Sequence, residues 1–321
     1  MKKKPIIAFY WAASCGGCEI TITELGMSLI DFTDQVEILF WPAILDFKYE
    51  DIRKLKNNEV DLCFFNGAIR NSENEQIAQL LRKKSKLLVA FGSCSSQGGI
   101  PGLANFGDSE AIMQRVYYTA PSLDETRGTR PMTVTRVPEG EIELPSFYDR
   151  VKTLDQVVSV DYHMPGCPPV VEQVWKVFNQ FISGELPGKN SLIGVDEKTV
   201  CDVCPRKKVD GKVRIKEFKR PHEVILDPDL CFLAQGVICC GPVTHAGCGL
   251  PCLNANMPCR GCYGPPDGVS DQGSKLLSAI APIIDTDDLE QIEKIFDTIV
   301  DPAGTFYRFS LAGSILNELK K

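Results

Sequence analysis

Residues 231–262 constrain the fold of this chain more than any other stretch. They read CFLAQGVICCGPVTHAGCGLPCLNANMPCRGC and place seven cysteines in 32 residues, with Gly-Pro or Pro-Cys pairs at three points. Neither the period of a strand nor that of a helix runs through the segment, so we expect no conventional hydrophobic core there. Something must replace the core, and cysteine offers disulfides, zinc sites or iron–sulfur clusters.

The composition of the whole chain narrows this choice. The 321 residues are 44% hydrophobic, enough for two domains, and the net charge of −7 argues against nucleic acid or a membrane surface as a partner. No stretch approaches the roughly 18–20 apolar residues of a membrane helix. The apolar run 5–11 leads straight into a cysteine pair and predicts a first strand, not a signal peptide. We therefore expect a cytoplasmic protein, in which clustered cysteines bind metal more often than they form disulfides.

Continuous apolar runs alternate with helical patterns through the first half of the chain. The clearest helical pattern is 72–84, which begins acidic and ends basic, and a second helix is predicted at 170–182. The apolar runs cover 5–11, 36–41, 60–66, 86–91 and, more weakly, 157–162. This alternation predicts the α/β class: a flavodoxin-like parallel sheet with helices on both faces in residues 1–183, followed by a loop-rich iron–sulfur domain in residues 184–321.

Four cysteines follow these predicted strands. Cys15 and Cys18 come after the first strand, Cys94 after the fourth and Cys167 after the fifth. The carboxyl ends of the strands in an open α/β sheet meet at the edge where ligands bind, so these cysteines can converge. We hypothesise that they hold one 4Fe–4S cluster. A glycine-rich nucleotide turn and a redox-active thiol pair are the alternatives.

The remaining cysteines concentrate in the second half. Cys63 lies inside the run 60–66 and is predicted to be a buried core thiol. Two four-ligand sites would use eight of the other nine and leave one spare. Zinc would need the same number, but prolines beside several cysteines and the constellation in the first half favour iron. These nine are Cys201, Cys204, Cys231, Cys239, Cys240, Cys248, Cys252, Cys259 and Cys262.

Three other segments carry weaker patterns. Residues 95–150 have little regular pattern, so they predict either a partner interface or a loop folded on its own domain. Residues 206–220 hold eight basic and two acidic side chains around the turn Asp210-Gly211, which predicts a solvated hairpin or a docking patch for an acidic partner. Residues 287–300 and 307–319 predict two helices, which we expect to pack on the protein itself, with packing on a partner as the alternative.

The motifs together resemble the small, electron-transfer subunit of nickel–iron hydrogenases over nearly the full length. They are CGGCE (15–19), GSC with GGIPGLAN (92–105), PGCPP (165–169), CDVCPR (201–206) and the series that ends in CRGCYGP (259–265). The all-cysteine series and the missing twin-arginine signal are similar to the cytoplasmic group. Within it the chain resembles the methyl-viologen-reducing (deazaflavin-non-reducing) hydrogenases that work with heterodisulfide reductase, and next the sulfhydrogenases.

The resemblance implies three 4Fe–4S clusters held by cysteines. Cys240 matches no usual ligand, but it could exchange roles with Cys239. Glu19 resembles an acidic residue of the family near the proximal cluster, where it would help proton movement or act only as a helix-start carboxylate. The implied ligands are Cys15, Cys18, Cys94 and Cys167 for the proximal cluster, Cys201, Cys204, Cys231 and Cys239 for the distal cluster, and Cys248, Cys252, Cys259 and Cys262 for the medial cluster.

The three histidines, His163, His222 and His245, offer no compelling ligand set. His245 is expected to be an ordinary surface histidine, or else to hydrogen-bond a cluster sulfur. Without clusters, residues 184–265 are expected to fold poorly, because metal binding would supply the folding energy.

The resemblance also implies partners. A large subunit would hold the nickel–iron centre and split dihydrogen, and the clusters would pass electrons to a small 2Fe–2S subunit and then to a flavin that feeds heterodisulfide reductase. A sulfhydrogenase-type subunit with a nicotinamide or flavin partner is the sibling alternative. A zinc-stabilised interaction protein and a stand-alone quinone- or ferredoxin-linked reductase subunit are alternatives from other classes. The second of these is similar to the quinone-side subunit of respiratory complex I, which carries only the first cluster, so the eight further ligands here argue against it.

Overall fold

The computed structural model describes residues 3–124, 128–207 and 213–318. Its strands are β1 Ile6–Trp11, β2 Glu37–Phe40, β3 Val60–Asn66, β4 Ile69–Asn71, β5 Ser85–Phe91, β6 Val134–Val137, β7 Gly140–Glu143, β8 Phe147–Lys152, β9 Tyr162–Met164 and β10 Ser191–Leu192. Its helices are α1 Gly17–Thr23, α2 Met27–Gln35, α3 Tyr49–Lys54, α4 Ser72–Lys84, α5 Ser93–Gln97, α6 Ser109–Tyr117, α7 Val171–Ser183, α8 Val200–Val203, α9 Pro251–Asn254, α10 Gln272–Ile280, α11 Leu289–Asp297, α12 Pro302–Phe306 and α13 Ile315–Glu318. Short 3-10 helices cover Ile100–Phe106, Pro221–Glu223, Leu233–Gln235, Gly241–Val243, Ala281–Ile283 and Leu311–Gly313.

Six strands form one parallel sheet in the order β10-β9-β5-β3-β1-β2. Strands β1, β3 and β5 lie inside the sheet and are buried on both faces, as their continuous apolar runs predict. One face packs against α7 through Phe9 and Phe178, and the other packs against α4 through Phe65 and Leu81. The predicted α/β class with a flavodoxin-like sheet is confirmed. Within the described ranges, no helix is both long enough and apolar enough to cross a membrane.

Helix α4 shows why the local prediction succeeds here. It covers the predicted residues 72–84, and the Asn71 side chain caps it by accepting a hydrogen bond from the Asn74 N–H at 2.8 Å. Acidic residues fill its first turn and basic residues its last turn, which suits the helix dipole. Its last turn is tied to the sheet, because Arg82 donates to the Asp161 carboxylate at 2.6 Å.

In the first half one strand is predicted at the wrong residues, and one segment predicted to be irregular contains regular elements. The fifth parallel strand is Tyr162–Met164, not 157–162, because the N–H groups of Val157 and Val158 fold back in a turn onto the Leu154 carbonyl. Residues 95–150 are also more regular than predicted. They contain α6, the hairpin of β6 and β7, and strand β8, which pairs with β4.

The second half has an apolar core that the cysteine-rich pattern does not predict. Phe218, Phe232, Ile280 and Ile295 are buried in it together with several of the cysteines, so the predicted self-packing of the tail is confirmed. The predicted helix 307–319 is wrong. The Phe309 and Ala312 carbonyls accept hydrogen bonds from Gly99 and Gln156 of the first half, so the chain there forms only short turns of helix.

The predicted division at 183/184 stays a prediction. Beyond it, Lys189 pairs with Asp161 at 2.7 Å, and β10 adds to the sheet beside β9. The sheet of the first half therefore takes in chain as far as Leu192. The predicted turn Asp210-Gly211 falls in 208–212, which lie outside the described residues.

Candidate functional site: three sets of cysteines

The first cysteine set lies at the carboxyl edge of the parallel sheet. Cys15 and Cys18 follow β1, Cys94 follows β5 and Cys167 follows β9, as predicted from strand order. Cys18 and Cys94 are each 7% exposed, whereas Cys15 and Cys167 face the outside. Burial, and after it the nearby thiols of Cys167 and Cys15, raises the pKa of Cys94 to about 12. The structure therefore brings all four thiols into one neighbourhood.

Two glycines allow the backbone to lie close to the sulfur atoms of this set. Gly92 has a φ of 83°, and a Cβ placed on it would lie 2.4 Å from the Cys18 sulfur. Gly99 has a φ of 56°, and its Cβ would lie 2.6 Å from the Cys94 sulfur. Both positions exclude a larger residue through conformation and through space. The backbone therefore carries no side chain at the two points where it lies against these sulfurs.

Ser93 joins three loops at this edge. Its hydroxyl accepts a hydrogen bond from the Gly166 N–H at 3.2 Å, next to Cys167, and donates one to the Cys262 carbonyl. Ser93 itself precedes Cys94 and is 1% exposed. One side chain therefore connects the loops of the first set to the cysteine-rich segment of the second half.

Glu19 is buried beside the first set. It lies in the first turn of α1, is 6% exposed, and accepts a hydrogen bond from Trp41 Nε1 at 2.6 Å. Asn66 Nδ2 lies 3.5 Å from its other carboxylate oxygen. Burial raises the pKa of Glu19, and the hydrogen bonds from Trp41 and Asn66 oppose that rise. This geometry is compatible with both roles that the sequence implies for Glu19, proton movement near the first set and a carboxylate at the start of a helix.

The second set lines a single small cavity between α8, α9 and the 3-10 helices near 233–243. Its wall combines the thiols with apolar groups, including Phe232 and Leu253. Burial raises the pKa of Cys239 to about 11, against hydrogen bonds from the backbone N–H groups of Gly241 and Cys259. The four cysteines that line the cavity are Cys201, Cys204, Cys231 and Cys239.

Arg206 is a residue of this cavity that the sequence reasoning missed. It is 7% exposed, its guanidinium lies over the Phe232 ring at 3.9 Å, and it donates to the Asp227 and Leu230 carbonyls at 2.9 and 3.0 Å. It also donates to Asn256 Oδ1 at 2.6 Å. A buried cation whose hydrogen-bond acceptors are neutral suits the neighbourhood of a negatively charged group. In the sequence, the only sign of a role for Arg206 was its position two residues after Cys204.

The third set lines a cavity of about 400 Å³. Its four cysteines share this cavity with Cys167 of the first set. Val200 and Leu253 line both this cavity and that of the second set. Burial, and after it the thiol of Cys239, raises the pKa of Cys259 to about 12. The third set, which adjoins both of the others, consists of Cys248, Cys252, Cys259 and Cys262.

Two cysteines lie outside these groups. Cys63 is fully buried in β3, as predicted, and burial raises its pKa to about 12. Cys240 lines neither of the two cavities and is 6% exposed. Burial raises its pKa, the thiols of Cys259 and Cys239 raise it further, and the guanidinium groups of Arg260 and Arg308 lower it. Cys240 is therefore buried near cysteines of the second and third sets but lines the cavity of neither set.

His245 is not the surface histidine that the sequence predicts. It is 1% exposed, and its Nδ1 lies 2.8 Å from the Asp196 carbonyl oxygen. Its Nε2 lies 3.8 Å from an Asp267 carboxylate oxygen. His245 therefore ties the cysteine-rich segment to the chain that precedes α8.

The donor chemistry of the sets fits iron–sulfur clusters. Clusters of the 4Fe–4S type take four thiolates, and each set offers four. In the described part of the chain no two cysteines form a disulfide, and no three His, Cys, Asp or Glu side chains are arranged around a single metal ion. A cluster spreads its thiolates over separate irons, so its ligands lie farther apart than those of one ion.

Known proteins resemble this chain over nearly its whole length. Residues 15–181 match the family described as NADH ubiquinone oxidoreductase, 20 Kd subunit. The iron-sulfur subunit of the F420-non-reducing hydrogenase of Archaeoglobus profundus is 40% identical over 317 residues, which cover 97% of this chain and 98% of that protein. The corresponding subunit of the F420-non-reducing hydrogenase of Methanothermobacter thermautotrophicus is 34% identical over 319 residues, 98% of this chain and 97% of that protein.

A further relative agrees with these two. The same subunit of the F420-non-reducing hydrogenase of Methanothermobacter marburgensis is 34% identical over 322 residues, covering 98% of this chain and 97% of that protein. The resemblance to deazaflavin-non-reducing hydrogenases is therefore confirmed. The chain belongs to the family of small subunits of F420-non-reducing hydrogenases and is an oxidoreductase subunit.

Proposed function

We propose that this chain carries electrons from the nickel–iron centre of a hydrogenase large subunit through three 4Fe–4S clusters to a small 2Fe–2S subunit. The observation that carries the proposal is the adjacency of the three cysteine sets. Cys167 of the first set lines the cavity of the third set, and Val200 and Leu253 line the cavities of both the third and the second. A row of three adjoining thiol sets is what an electron path requires.

Each bound cluster would supply a site that accepts and releases one electron at a time. The residues of the chain hold and tune such sites. The thiols of each set bind iron, and Gly92 keeps the backbone clear of the Cys18 sulfur. Arg206 brings a buried positive charge to the cavity of the second set. Apolar side chains such as Phe232 and Leu253 exclude water from the cavity. Because less water screens it, the charge of Arg206 would interact more strongly with a cluster there.

The large subunit would cover the edge of the first set. Cys15 and Cys167 are exposed there, and apolar side chains of the same end of the sheet are exposed with them. Trp11 is 45% exposed at the end of β1, and Ile20 is 57% exposed in α1. Exposed apolar groups near exposed ligand thiols favour an interaction site. A partner seated there would place its own centre next to the first set.

On the acceptor side, electrons would pass from the small 2Fe–2S subunit to a flavin that feeds heterodisulfide reductase. The support is the family membership and the all-cysteine ligand sets. We propose a cytoplasmic location for the same complex, since thiols stay reduced there. Under this proposal Glu19 holds α1 and the first set in place through Trp41, and any proton movement through it is secondary.

Iron, acid-labile sulfide and zinc per chain, measured on the native complex purified without oxygen, test the proposal. Three 4Fe–4S sites would give about twelve irons and twelve sulfides per chain after subtraction of those on other subunits. Zinc with little sulfide would leave a zinc-stabilised interaction protein instead. About four irons with zinc would leave only the first set as a cluster, similar to the complex I subunit. Dihydrogen-dependent reduction of a viologen dye by the same sample reports electron transfer independently.

A further inference from the structure

A further cavity, of about 440 Å³, adjoins the cysteine-rich segment. It opens between residues 218–222, residues 237–238, residues 257–260 and the end of the chain from 298 to 308. Its charged lining is strongly basic, with Asp301 as the one carboxylate among the described residues that line it. The basic side chains are Lys219, Arg220, His222, Arg260 and Arg308.

Most of this positive charge is uncompensated. Lys219 pairs with Glu217 at 2.7 Å, but within the described part of the chain Arg220, Arg260 and Arg308 form no ion pair. Asp301 is engaged at the start of α12, where its Oδ1 accepts the Gly304 N–H at 2.9 Å. The chain as a whole carries a net charge of −7, so this concentration of cations is a local feature. It favours an anionic occupant.

The cavity lies beside two cysteine sets. Val237 and Ile238 line it and directly precede Cys239 of the second set. Arg260 lines it, follows Cys259 of the third set, and also lines the cavity of that set. A molecule bound in this cavity would therefore contact residues that are next in the chain to a cysteine of each set.

The lining also contains exposed apolar side chains. Met257 is 39% exposed and Val300 is 67% exposed, and Phe218 forms part of the wall. Arginine, methionine and aromatic residues are enriched at protein interfaces relative to the remaining surface. A free inorganic anion would leave the apolar part of this wall uncovered, whereas a protein segment would cover both parts.

We propose that this basic cavity is the docking site for an acidic segment of a small electron-accepting iron–sulfur protein. The proposal rests on the proposed electron-transfer function and adds the surface through which electrons leave the chain. Arg260 and Arg308 bind partner carboxylates, for which the guanidinium fork is well suited. The uncompensated charge also steers an acidic partner to this surface, so association weakens as salt rises.

The test uses the complex of this chain with its large subunit, freed of the small 2Fe–2S subunit, with dihydrogen as reductant and a purified acidic 2Fe–2S ferredoxin as the probe in place of that subunit. Each dihydrogen oxidised releases two protons and two electrons and so reduces two ferredoxin molecules. Arg308→Glu and Arg220→Glu are compared with wild type and with Lys275→Glu, a matched charge reversal at an exposed residue of α10 that lies outside this lining. We expect each arginine variant to raise KM for ferredoxin roughly tenfold at low ionic strength, with kcat little changed.

Several results would overturn the proposal. A ferredoxin KM that is independent of salt, or equal in Arg220→Glu and Lys275→Glu, would exclude docking at this cavity while the electron-transfer function stands. Competition by millimolar inorganic phosphate with unchanged ferredoxin kinetics in both arginine variants would make the cavity a small-anion site instead. Failure of the wild-type complex to reduce either ferredoxin or a viologen dye would contradict the electron-transfer function, and the docking proposal would fall with it.

Discussion

The guanidinium carbon of Arg206 lies 3.9 Å from the centre of the Phe232 ring, and both residues line the cavity of Cys201, Cys204, Cys231 and Cys239. Stacking on the ring and hydrogen bonds to backbone carbonyls fix the cation beside the four thiols. Arg206 thus brings a positive charge to the place where a cluster ligated by four thiolates would be negative.

Removing this charge is expected to change the potential of that cluster. We predict that Arg206→Gln lowers the reduction potential of one cluster by an amount on the order of tens of millivolts, because the buried cation stabilises the extra electron. A redox titration followed by electron paramagnetic resonance measures it. Arg136→Gln is the matched control, since Arg136 lies in the β6–β7 hairpin with its side chain 88% exposed. Equal potentials in the two variants would contradict the assigned role.

Gly92 offers a test of the first set. We predict that Gly92→Ala removes about four irons per chain, because the new Cβ would lie 2.4 Å from the Cys18 sulfur. Gly184→Ala is the matched control: Gly184 has a φ of 76°, near the 83° of Gly92, but has nothing within 4 Å of its Cβ position. Iron content of the purified complex checks the pair. Equal iron in both variants would argue against a cluster at Cys18.

Iron content can show which of the neighbouring Cys239 and Cys240 is a cluster ligand. Cys239 lines the cavity of the second set and Cys240 does not. We predict that Cys239→Ser loses about four irons per chain, whereas Cys240→Ser keeps them all. The reverse result would show that Cys240 takes the place of Cys239 as the ligand. A loss in both variants would mean that the buried Cys240 is needed for the fold around the site.

Tyr263 fastens the cysteine-rich segment to the first half of the chain. Its hydroxyl donates to Gln173 Oε1 at 2.6 Å and accepts the Val170 N–H at 3.0 Å, and the residue is 2% exposed. We predict that Tyr263→Phe costs about 1–2 kcal/mol, because the buried Gln173 side chain and the Val170 N–H both lose their partner. The unfolding temperature should fall by a few degrees. Tyr118→Phe removes an exposed hydroxyl and should leave it unchanged within error.

Removal of iron is expected to loosen the two halves of the chain unequally. The sheet has its own apolar core around β1, β3 and β5, whereas the loops at 231–262 pack around thiol-lined cavities. We predict that chelation of iron abolishes amide-exchange protection in 231–262 and preserves it in β3 and β5. Protection that survives throughout would mean that the apolar core of the second half holds those loops without metal.

Local sequence pattern determined a large part of this structure. The run 60–66 and the helical pattern 72–84 correspond to β3 and α4 with the same bounds, since side-chain periodicity and charge at helix ends act over a few residues. The first cysteine set also followed from the sequence, because parallel strands bring their carboxyl ends to one edge wherever the chain runs between them. The grouping of the second and third sets came from family resemblance, as spacing alone permitted other pairings.

Only the tertiary structure decided features that depend on contacts between distant parts of the chain. The predicted helix 307–319 is broken because Phe309 and Ala312 use their carbonyls on the first half. His245 is buried because its ring reaches the Asp196 carbonyl, and Arg206 stacks on Phe232 although 26 positions separate them in the printed sequence. The adjacency of the third set to both others is likewise a product of packing. Periodicity encodes which face of an element is buried, but the groups that meet there are set by long-range packing.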